Sequence, residues 1–290
     1  MNKDELRFNT LSLSELIEEE SDFFPLLSQE DEDKIDKEKT PKTLPILPLR
    51  NTVLFPGVII PITIGRDRSI KLIRDTYKGN RTIGVLAQKD PNIETPEEKD
   101  LNSIGTVAHV LKMLRMPDGN ITAIIQGRKR FEIEQFVQTE PYFKANVNRL
   151  NEKRPKNNDK EFSALVDSVK DLALQIIEES PNIPSEATMA IKNIESPSFV
   201  INFVASNMNI SLTEKQGLLE EVDLKVRASN ALGFLTKELQ MLEMKNEIQS
   251  KVRTDLDKQQ REYFLHQQMK AIQEELGGVS QEDEIEEMRE

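Results

Sequence analysis

The sequence predicts an α+β protein in which a β-rich domain is followed by an all-α helical bundle and a very long helix. Between residues 44 and 150, short apolar runs are separated by proline and glycine, which is typical of strands joined by turns. After residue 160 the apolar residues recur with the 3.6-residue period of helices. The chain has 290 residues, which is enough for more than one domain.

Composition excludes several kinds of site and segment. The chain contains no cysteine, which excludes disulfides, a thiolate zinc site and a cysteine nucleophile. It has no run of about 18 or more apolar residues, so we expect no membrane-spanning helix. The first ten residues, MNKDELRFNT, have no apolar stretch and include acids, unlike a secretory signal or a transit peptide. We therefore expect a cytoplasmic protein without membrane contact.

The net charge of −12 is distributed unevenly along the chain. Residues 1–43 hold 13 acids and 6 bases, whereas residues 44–150 hold 11 acids and 16 bases. The composition of the first segment predicts a disordered acidic tail, because it cannot bury enough apolar area to offset the entropy cost of ordering. Residues 151–290 are acidic again, with 27 acids and 17 bases, so a nucleic acid would have to contact the middle block.

Four prolines mark residues 44–65, at positions 45, 48, 56 and 61. They exclude a helix and disfavour a central strand, because proline has no N–H to donate to a neighbouring strand. We therefore predict edge strands joined by a turn at Pro56-Gly57. A short helix is predicted next, and its expected residues are Asp67 or Ser69 at the cap, Gly79 at the end, and Ile70, Ile73 and Tyr77 on the apolar face.

Four further apolar runs complete the β-rich domain, at residues 82–88, 104–115, 121–126 and 131–137. Pro117-Asp118-Gly119 predicts the turn between the second and third of them. Residues 44–150 are expected to form a compact mixed sheet or half-barrel with one helix. The densest basic stretch, at residues 127–130, is interpreted as a turn entering the strand at Phe131, with a phosphate contact as the alternative.

Helical spacing begins after a polar linker at residues 151–160. We predict a helical bundle over residues 159–224, in which Phe162 to Ile177 form the first helix. Later helix starts are expected at Pro184-Ser185, at Ser196-Pro197, and at Ser211, which fits a capping box with Glu214.

Residues 225–276 contain no proline and a single glycine, which predicts one helix of unusual length. Its own bundle cannot bury all of its apolar residues, so we expect it to pack in coiled-coil fashion. Gly277-Gly278 would end the helix. Residues 277–290 start another charged segment without a C-terminal cap, and we therefore expect a chain cut from a longer protein.

No catalytic, cofactor-binding or metal-binding residue is predicted in the chain. The phosphate-binding signature GxxxxGK[ST] and the nucleophile signature GxSxG do not occur. The two histidines, His109 and His266, lie on different elements, which excludes an HExxH metal motif. Acid pairs such as Glu97 and Glu98 lie in charged runs that are typical of solvated faces. The segment is therefore expected to bind rather than to catalyse.

Five stretches in order along the chain resemble the N-terminal region of the Lon family of ATP-dependent AAA+ serine proteases. LPILPLRNTVLFPGVIIPITIGRDRS (44–69) is similar to the family pattern LPxLPLRxxVxFPxxxxPxxxGR. The other four are IIQGRKRFEI (124–133), EPYFKANV (140–147), SLTEKQGLLE (211–220) and REYFLHQQMKAIQEELGG (261–278). They are similar to two later strands, to the helix that closes the bundle and to the end of the long helix.

The resemblance implies a PUA-like β domain over residues 44–150, a helical bundle, and a long helix that leads to an ATPase domain. It also implies a cytoplasmic, homohexameric, ATP-dependent endopeptidase that degrades misfolded and regulatory proteins. ATP and Mg²⁺ would belong to the ATPase domain, and the Walker motifs and Ser-Lys dyad of the family have no counterpart in these residues. The segment is expected to act in substrate recognition and assembly, with unfolded or degron-bearing proteins and neighbouring subunits as partners.

Five residues are candidates for contact with polypeptide substrates. Met113, Leu114 and Met116 lie beside the predicted hairpin turn, and Phe23 and Phe24 lie in the acidic tail. Thioether side chains adapt to varied apolar partners, which suits recognition of unfolded chains. Two alternatives stay open. One is a PUA-like RNA-binding module, although acidic flanks and few aromatic residues make nucleic acid an unlikely partner. The other is a stand-alone scaffold that associates through the long helix.

Overall fold

The computed structural model describes Ile35 and residues 37–116, 120–156, 159–180, 183 and 186–275. Phe23, Phe24 and the rest of the predicted tail before residue 35 lie outside these residues, as do Pro117-Asp118-Gly119, Pro184-Ser185 and Gly277-Gly278. Two compact units make up the chain, the first ending at Glu238 and the second beginning at Leu239. The boundaries predicted between tail, β domain, bundle and long helix stay a prediction.

Six strands are found in the described part of the chain: β1 (Thr43–Leu49), β2 (Ile59–Ile64), β3 (Thr82–Ala87), β4 (Ile104–Arg115), β5 (Ile121–Gln138) and β6 (Lys144–Arg149). They form one mixed sheet in the order β2-β5-β4-β3-β1-β6. A further pairing between β5 and β6 closes five of the strands into a barrel, with β2 added at the edge. The predicted mixed sheet is therefore confirmed, and it closes further than a half-barrel.

The length of β5 explains how the barrel closes. This strand has 18 residues, of which the first six pair with β2 and the later ones, from Phe131 onward, pair with β6. A β-bulge lies between these two halves, where β4 pairs Val107 with Lys129 and Ala108 with Gly127, leaving Arg128 as the extra residue. The prediction of a basic turn at residues 127–130 is wrong, because these residues continue the strand through the bulge.

Strand β1 lies between β3 and β6, so the prediction that it forms an edge is wrong. Pairing with β6 covers Thr43 to Pro45, and pairing with β3 begins at Ile46. Ile46 N donates to Phe143 O on the β6 side at 2.8 Å, whereas Leu49 O accepts from Gln88 N on the β3 side at 2.8 Å. Because successive residues face opposite sides of a strand, the nitrogens of Pro45 and Pro48 face the sides on which pairing is absent. Neither proline therefore removes a ladder hydrogen bond. The edge prediction holds for β2, which carries Pro61.

Helix α1 (Asp67–Lys78) covers one side of the barrel core. Leu72 and Ile73 are fully buried in a cluster of side chains from β1 to β5, and the predicted Ile70 and Tyr77 pack at its margin. The N-cap residue is Arg66, and no side chain caps the helix, so the prediction of a cap at Asp67 or Ser69 is wrong. Asp67 instead lies in the first turn, where its charge favours the helix dipole.

Five further helices follow in the described residues: α2 (Lys160–Glu178), α3 (Glu186–Asn193), α4 (Pro197–Asn207), α5 (Leu212–Glu220) and α6 (Leu224–Glu275). Ser196 caps α4 by accepting a hydrogen bond from Phe199 N at 3.2 Å, as predicted. Helix α6 has 52 residues, so the predicted very long helix is confirmed. The architecture is α+β, as the sequence predicts. Within the part of the chain that is described, no helix is long and apolar enough to cross a membrane.

The predicted capping box of α5 is present and gives a local test of the fold. Ser211 Oγ accepts from Glu214 N at 3.2 Å, and Glu214 Oε2 accepts from Ser211 N at 2.8 Å. We expect Ser211→Ala to lower the free energy of unfolding by about 1 kcal/mol, because the first turn loses its cap. Urea denaturation would measure this difference. Thr213→Ala, on the exposed face of the same turn, is the matched control and should stay within about 0.5 kcal/mol of the parent.

Candidate functional site

The hairpin of β4 and β5 carries three of the predicted contact residues. Met113 lies opposite Ala123 and Leu114 opposite Thr122, and Met116 N donates to Asn120 O at 2.9 Å where the hairpin turns. Met116 is 42% exposed, whereas Leu114 is half-buried and Met113 packs against the barrel core. The structure thus brings Met113, Leu114 and Met116 together at one end of the sheet, with Met116 as the most accessible of them.

An open strand edge lies beside this hairpin. Strand β2 pairs with the first half of β5, and Ile64 lies opposite Ile121 at the same end of the sheet as Met116. The other side of β2 has no partner strand among the described residues. An edge strand next to apolar side chains can accept an extended polypeptide by adding a strand, with side chains held on the apolar surface. Pro61 limits such pairing to part of the edge.

A cleft of about 450 Å³ lies between the end of β1, the start of α1 and residues 94–96. Arg50, Arg66 and Arg68 line it, together with apolar side chains that include Pro48 and Phe143. This cleft was not predicted from the sequence. The signal was present, because all three arginines fall in the stretch that most resembles the Lon pattern, but their proximity depends on the fold.

A buried ionic network joins the barrel to the helices. Glu152 accepts from Arg227 Nη1 at 2.9 Å and from Arg154 Nε at 3.2 Å, and its carboxylate lies 3.5 Å from Arg130 Nη2. Arg130 also donates to Leu219 O at 2.9 Å and to Glu221 O at 2.6 Å. Burial and the neighbouring Arg227 lower the pKa of Arg130 to about 10. Residues 127–130, for which a phosphate contact was the alternative interpretation, therefore serve in part to attach the helices to β5.

The two histidines lie on different elements, His109 on β4 and His266 on α6. No group of three or more His, Cys, Asp or Glu side chains in the described part of the chain could hold a metal ion. His109 is half-buried on β4, and burial, followed by the charge of Arg128, lowers its pKa below the usual range. His266 is exposed on α6. The arrangement as a whole offers surfaces for binding.

A match to a known protein family identifies the family of this chain. Residues 43–237 match the model of the ATP-dependent protease La (LON) substrate-binding domain, which is more than half of the chain. The chain belongs to this Lon family. The family resemblance stated from the sequence is therefore confirmed.

Individual relatives agree with the family match. The Lon protease of Flavobacterium johnsoniae is 61% identical over 283 residues, which is 98% of this chain and 34% of that protein. The Lon protease of Cytophaga hutchinsonii is 50% identical over 269 residues, covering 93% of this chain and 33% of that protein. The chain therefore spans about a third of the length of these relatives.

A solved structure supports the fold. The N-terminal domain of the Mycobacterium avium complex Lon protease superimposes with a TM-score of 0.55 and 21% identity, covering 67% of this chain and 98% of that one. At this level of identity the likeness concerns the fold alone. The similarity of fold is consistent with the family match over residues 43–237.

Proposed function

We propose that this Lon substrate-binding domain recognises polypeptide substrates for an ATP-dependent protease that degrades misfolded and regulatory proteins. The family match over residues 43–237 is the observation that carries the proposal. The hairpin with Met113, Leu114 and Met116, next to the open edge of β2, supplies a surface suited to extended apolar segments. The domain itself holds and orients substrates, and the hydrolysis of ATP and of peptide bonds belongs to other parts of the protease.

Assembly is the second part of the proposed function. In the second unit, the apolar side chains of α6 are more than half exposed at Met241, Met244, Ile248, Val252 and Leu256. Exposed apolar residues at spacings of three and four along a helix favour packing against another helix. We propose that this helix contacts neighbouring subunits of a cytoplasmic homohexamer whose ATPase uses ATP and Mg²⁺. Display of several weak substrate sites on one ring would raise avidity without new contacts.

The contacts of the basic stretch at residues 127–130 weigh against the RNA-binding alternative. Lys129 and Arg130 are 7% and 4% exposed, and both donate to backbone carbonyl groups of this chain. Arg128 pairs with Glu38 at 3.2 Å. Phosphate groups need accessible cations, and these three are already engaged by other residues of this chain. A polypeptide ligand is therefore the better-supported proposal.

The hairpin assignment makes a direct prediction about binding. Met116→Ser should weaken binding of an unfolded polypeptide about threefold, because one exposed apolar contact is lost, and Met113→Ser with Met116→Ser should weaken it about tenfold. Fluorescence anisotropy with labelled, reduced and carbamidomethylated α-lactalbumin would measure both affinities. Thermal unfolding of each variant should be recorded, because Met113 also packs on the core.

Met189→Ser is the matched control for the hairpin variants. Met189 is 70% exposed on α3, a helix of the bundle that is not part of the sheet. Its replacement should leave the affinity for the unfolded polypeptide unchanged. Equal affinities for the parent, the Met116→Ser variant and the double variant would remove the hairpin from the proposed binding surface.

A further inference from the structure

The cleft beside α1 has the size and lining of a small ligand site. Its volume of about 450 Å³ falls within the usual range for such sites, which is roughly 300–1,000 Å³. Its apolar walls come from Ile46, Pro48, Leu72, Pro96 and Phe143. Ile46, Leu72, Pro96 and Phe143 are buried, so the walls are fixed by the barrel and α1. Such walls can take up an apolar side chain.

Arg66 is held in place on one side of the cleft. Its Nη2 donates to Gln88 Oε1 at 2.7 Å and to Ile93 O at 3.3 Å. Gln88 is fully buried and itself donates to Ile93 O at 2.9 Å, which fixes the position of the amide that Arg66 contacts. The guanidinium is thus oriented before any ligand arrives, and its other N–H groups have no hydrogen-bond partner among the described residues. Preorganised donors lower the entropy cost of binding.

Arg50 is the second cation of the cleft and differs from its neighbours. It is exposed just after β1, and it has no hydrogen bond or ion pair with any residue that the structure describes. Burial, and then repulsion from Arg50, lower the pKa of Arg66, while Glu94 opposes this more weakly. Both guanidinium groups line the same cleft. An anion placed between them would relieve the repulsion.

The cleft contains acidic as well as basic side chains. Arg68 forms an ion pair with Glu140, so its charge is already balanced. Asp67 and Glu94 also line the cleft, so together with Glu140 three acids balance its three arginines. Arg50 is the arginine without an ion pair in the described chain. The cleft therefore combines an exposed, unpaired guanidinium group with apolar walls.

We propose that this cleft binds a carboxylate of a polypeptide substrate next to an apolar side chain, with Arg50 and Arg66 contacting the carboxylate and Pro48, Pro96 and Phe143 covering the apolar group. Guanidinium groups match the planar geometry of a carboxylate and bind it through paired hydrogen bonds. The carboxylate can come from an Asp or Glu side chain or from the C terminus of the substrate. The inference rests on the proposed function, because it names the class of polypeptide segment that the domain prefers.

The test compares three labelled peptides of alternating leucine and a second residue. The first has glutamate and an amidated C terminus, the second has glutamine and an amidated C terminus, and the third has glutamine and a free C-terminal carboxylate. Anisotropy at physiological salt should show the glutamate peptide binding about tenfold more tightly than the amidated glutamine peptide. The third peptide shows whether a C-terminal carboxylate is accepted as well.

Arg50→Gln should remove the preference for the glutamate peptide and leave the affinity for the amidated glutamine peptide unchanged. Because Arg50 is exposed and has no hydrogen bond or ion pair with the described residues, this variant should unfold at the same temperature as the parent. Arg74→Gln, which removes an exposed charge from α1 outside the cleft, is the matched control and should keep the preference. Arg66→Lys keeps the positive charge but loses the paired N–H donors of the guanidinium group. It should therefore weaken binding of the glutamate peptide and leave binding of the amidated glutamine peptide unchanged.

Two results would overturn the inference. One is equal affinity of the parent for the glutamate and amidated glutamine peptides while unfolded α-lactalbumin still binds, which leaves the proposed function intact. The other is a preference that Arg50→Gln and Arg74→Gln reduce alike, since that would reflect overall charge and not this cleft. Absence of binding to every peptide and to unfolded α-lactalbumin would contradict the proposed function itself.

Discussion

Replacing Glu152 by alanine is expected to lower the free energy of unfolding by about 3–5 kcal/mol, because it leaves two buried guanidinium groups without their counter-charge. The side chain of Arg227 is fully buried, and that of Arg130 is 3% exposed. Glu152 lies between them and also accepts from Ser198 Oγ at 3.2 Å. Within the first unit, this carboxylate connects the segment after β6 with α4, with the start of α6 and with β5.

The same network predicts how stability depends on pH. Burial alone would raise the pKa of Glu152, but Arg227, Arg130 and Arg154 together outweigh it and hold the pKa below the usual range. A carboxylate with a depressed pKa in the folded state stabilises the protein above its unfolded pKa of about 4.3. That contribution is lost as the pH falls through the folded value. The stability difference between the parent and Glu152→Gln should therefore shrink below about pH 4.

Chemical denaturation of the parent, Glu152→Ala and Glu152→Gln at several pH values would measure these effects. Glu132→Ala is the matched control, since Glu132 is exposed on β5. It should change stability by less than about 0.5 kcal/mol. A cost below about 1 kcal/mol for Glu152→Ala at pH 7 would mean that the network does not hold the helices to the barrel.

Replacing Gly105 by alanine is expected to destabilise the barrel by about 3 kcal/mol. A Cβ atom on Gly105 would lie 2.1 Å from Val85 O, 2.6 Å from Leu86 Cδ2 and 3.2 Å from Phe131 Cζ. The nearest of these atoms belongs to the backbone of β3, which is paired on both sides and cannot rotate away. Overpacking of a rigid core commonly costs about 1–3 kcal/mol, and a backbone clash lies at the upper end of that range.

Gly233→Ala is the matched control for the glycine prediction. Gly233 lies within α6, and apart from the backbone of its own helix and its chain neighbours, no described heavy atom lies within 4 Å of the position of an added Cβ. Alanine there should stabilise the helix by up to about 1 kcal/mol, because glycine is the poorer helix former. Thermal unfolding followed by circular dichroism would report both variants. If Gly105→Ala unfolded at the same temperature as the parent, β3 and β4 could not lie as close together at Gly105 as described here.

Local signals predicted the helices well. The capping box of Ser211 and Glu214, the cap at Ser196 and the absence of proline in α6 each depend on residues a few positions apart. Apart from the cap of α1, which was predicted at Asp67 or Ser69 and is Arg66, the errors arose where pairing between distant strands decides the outcome. Pro45 and Pro48 are tolerated inside the sheet because pairing switches sides between them, and Arg128 continues β5 through a bulge. Neither arrangement leaves a signal in the local sequence.

In the candidate site too, features marked by the local sequence were predicted, and features that depend on the fold were missed. Met113, Leu114 and Met116 were predicted because they flank a hairpin that the local sequence marks. The cleft was missed because its residues come from the end of β1, the start of α1, the loop near Pro96 and the segment before β6. Only the closed barrel brings Arg50, Arg66 and Phe143 to one place. Phe23 and Phe24 lie outside the described residues and stay a prediction.

Anisotropy of this chain against labelled unfolded α-lactalbumin, with an RNA oligomer measured beside it at low and physiological salt, tests the central claim most directly. Apolar capture depends weakly on salt, whereas binding to phosphates falls steeply as salt rises. We predict binding of the polypeptide that persists at physiological salt, with no binding of RNA. Salt-sensitive binding of RNA without binding of polypeptide would contradict substrate recognition and would assign the domain to nucleic acid.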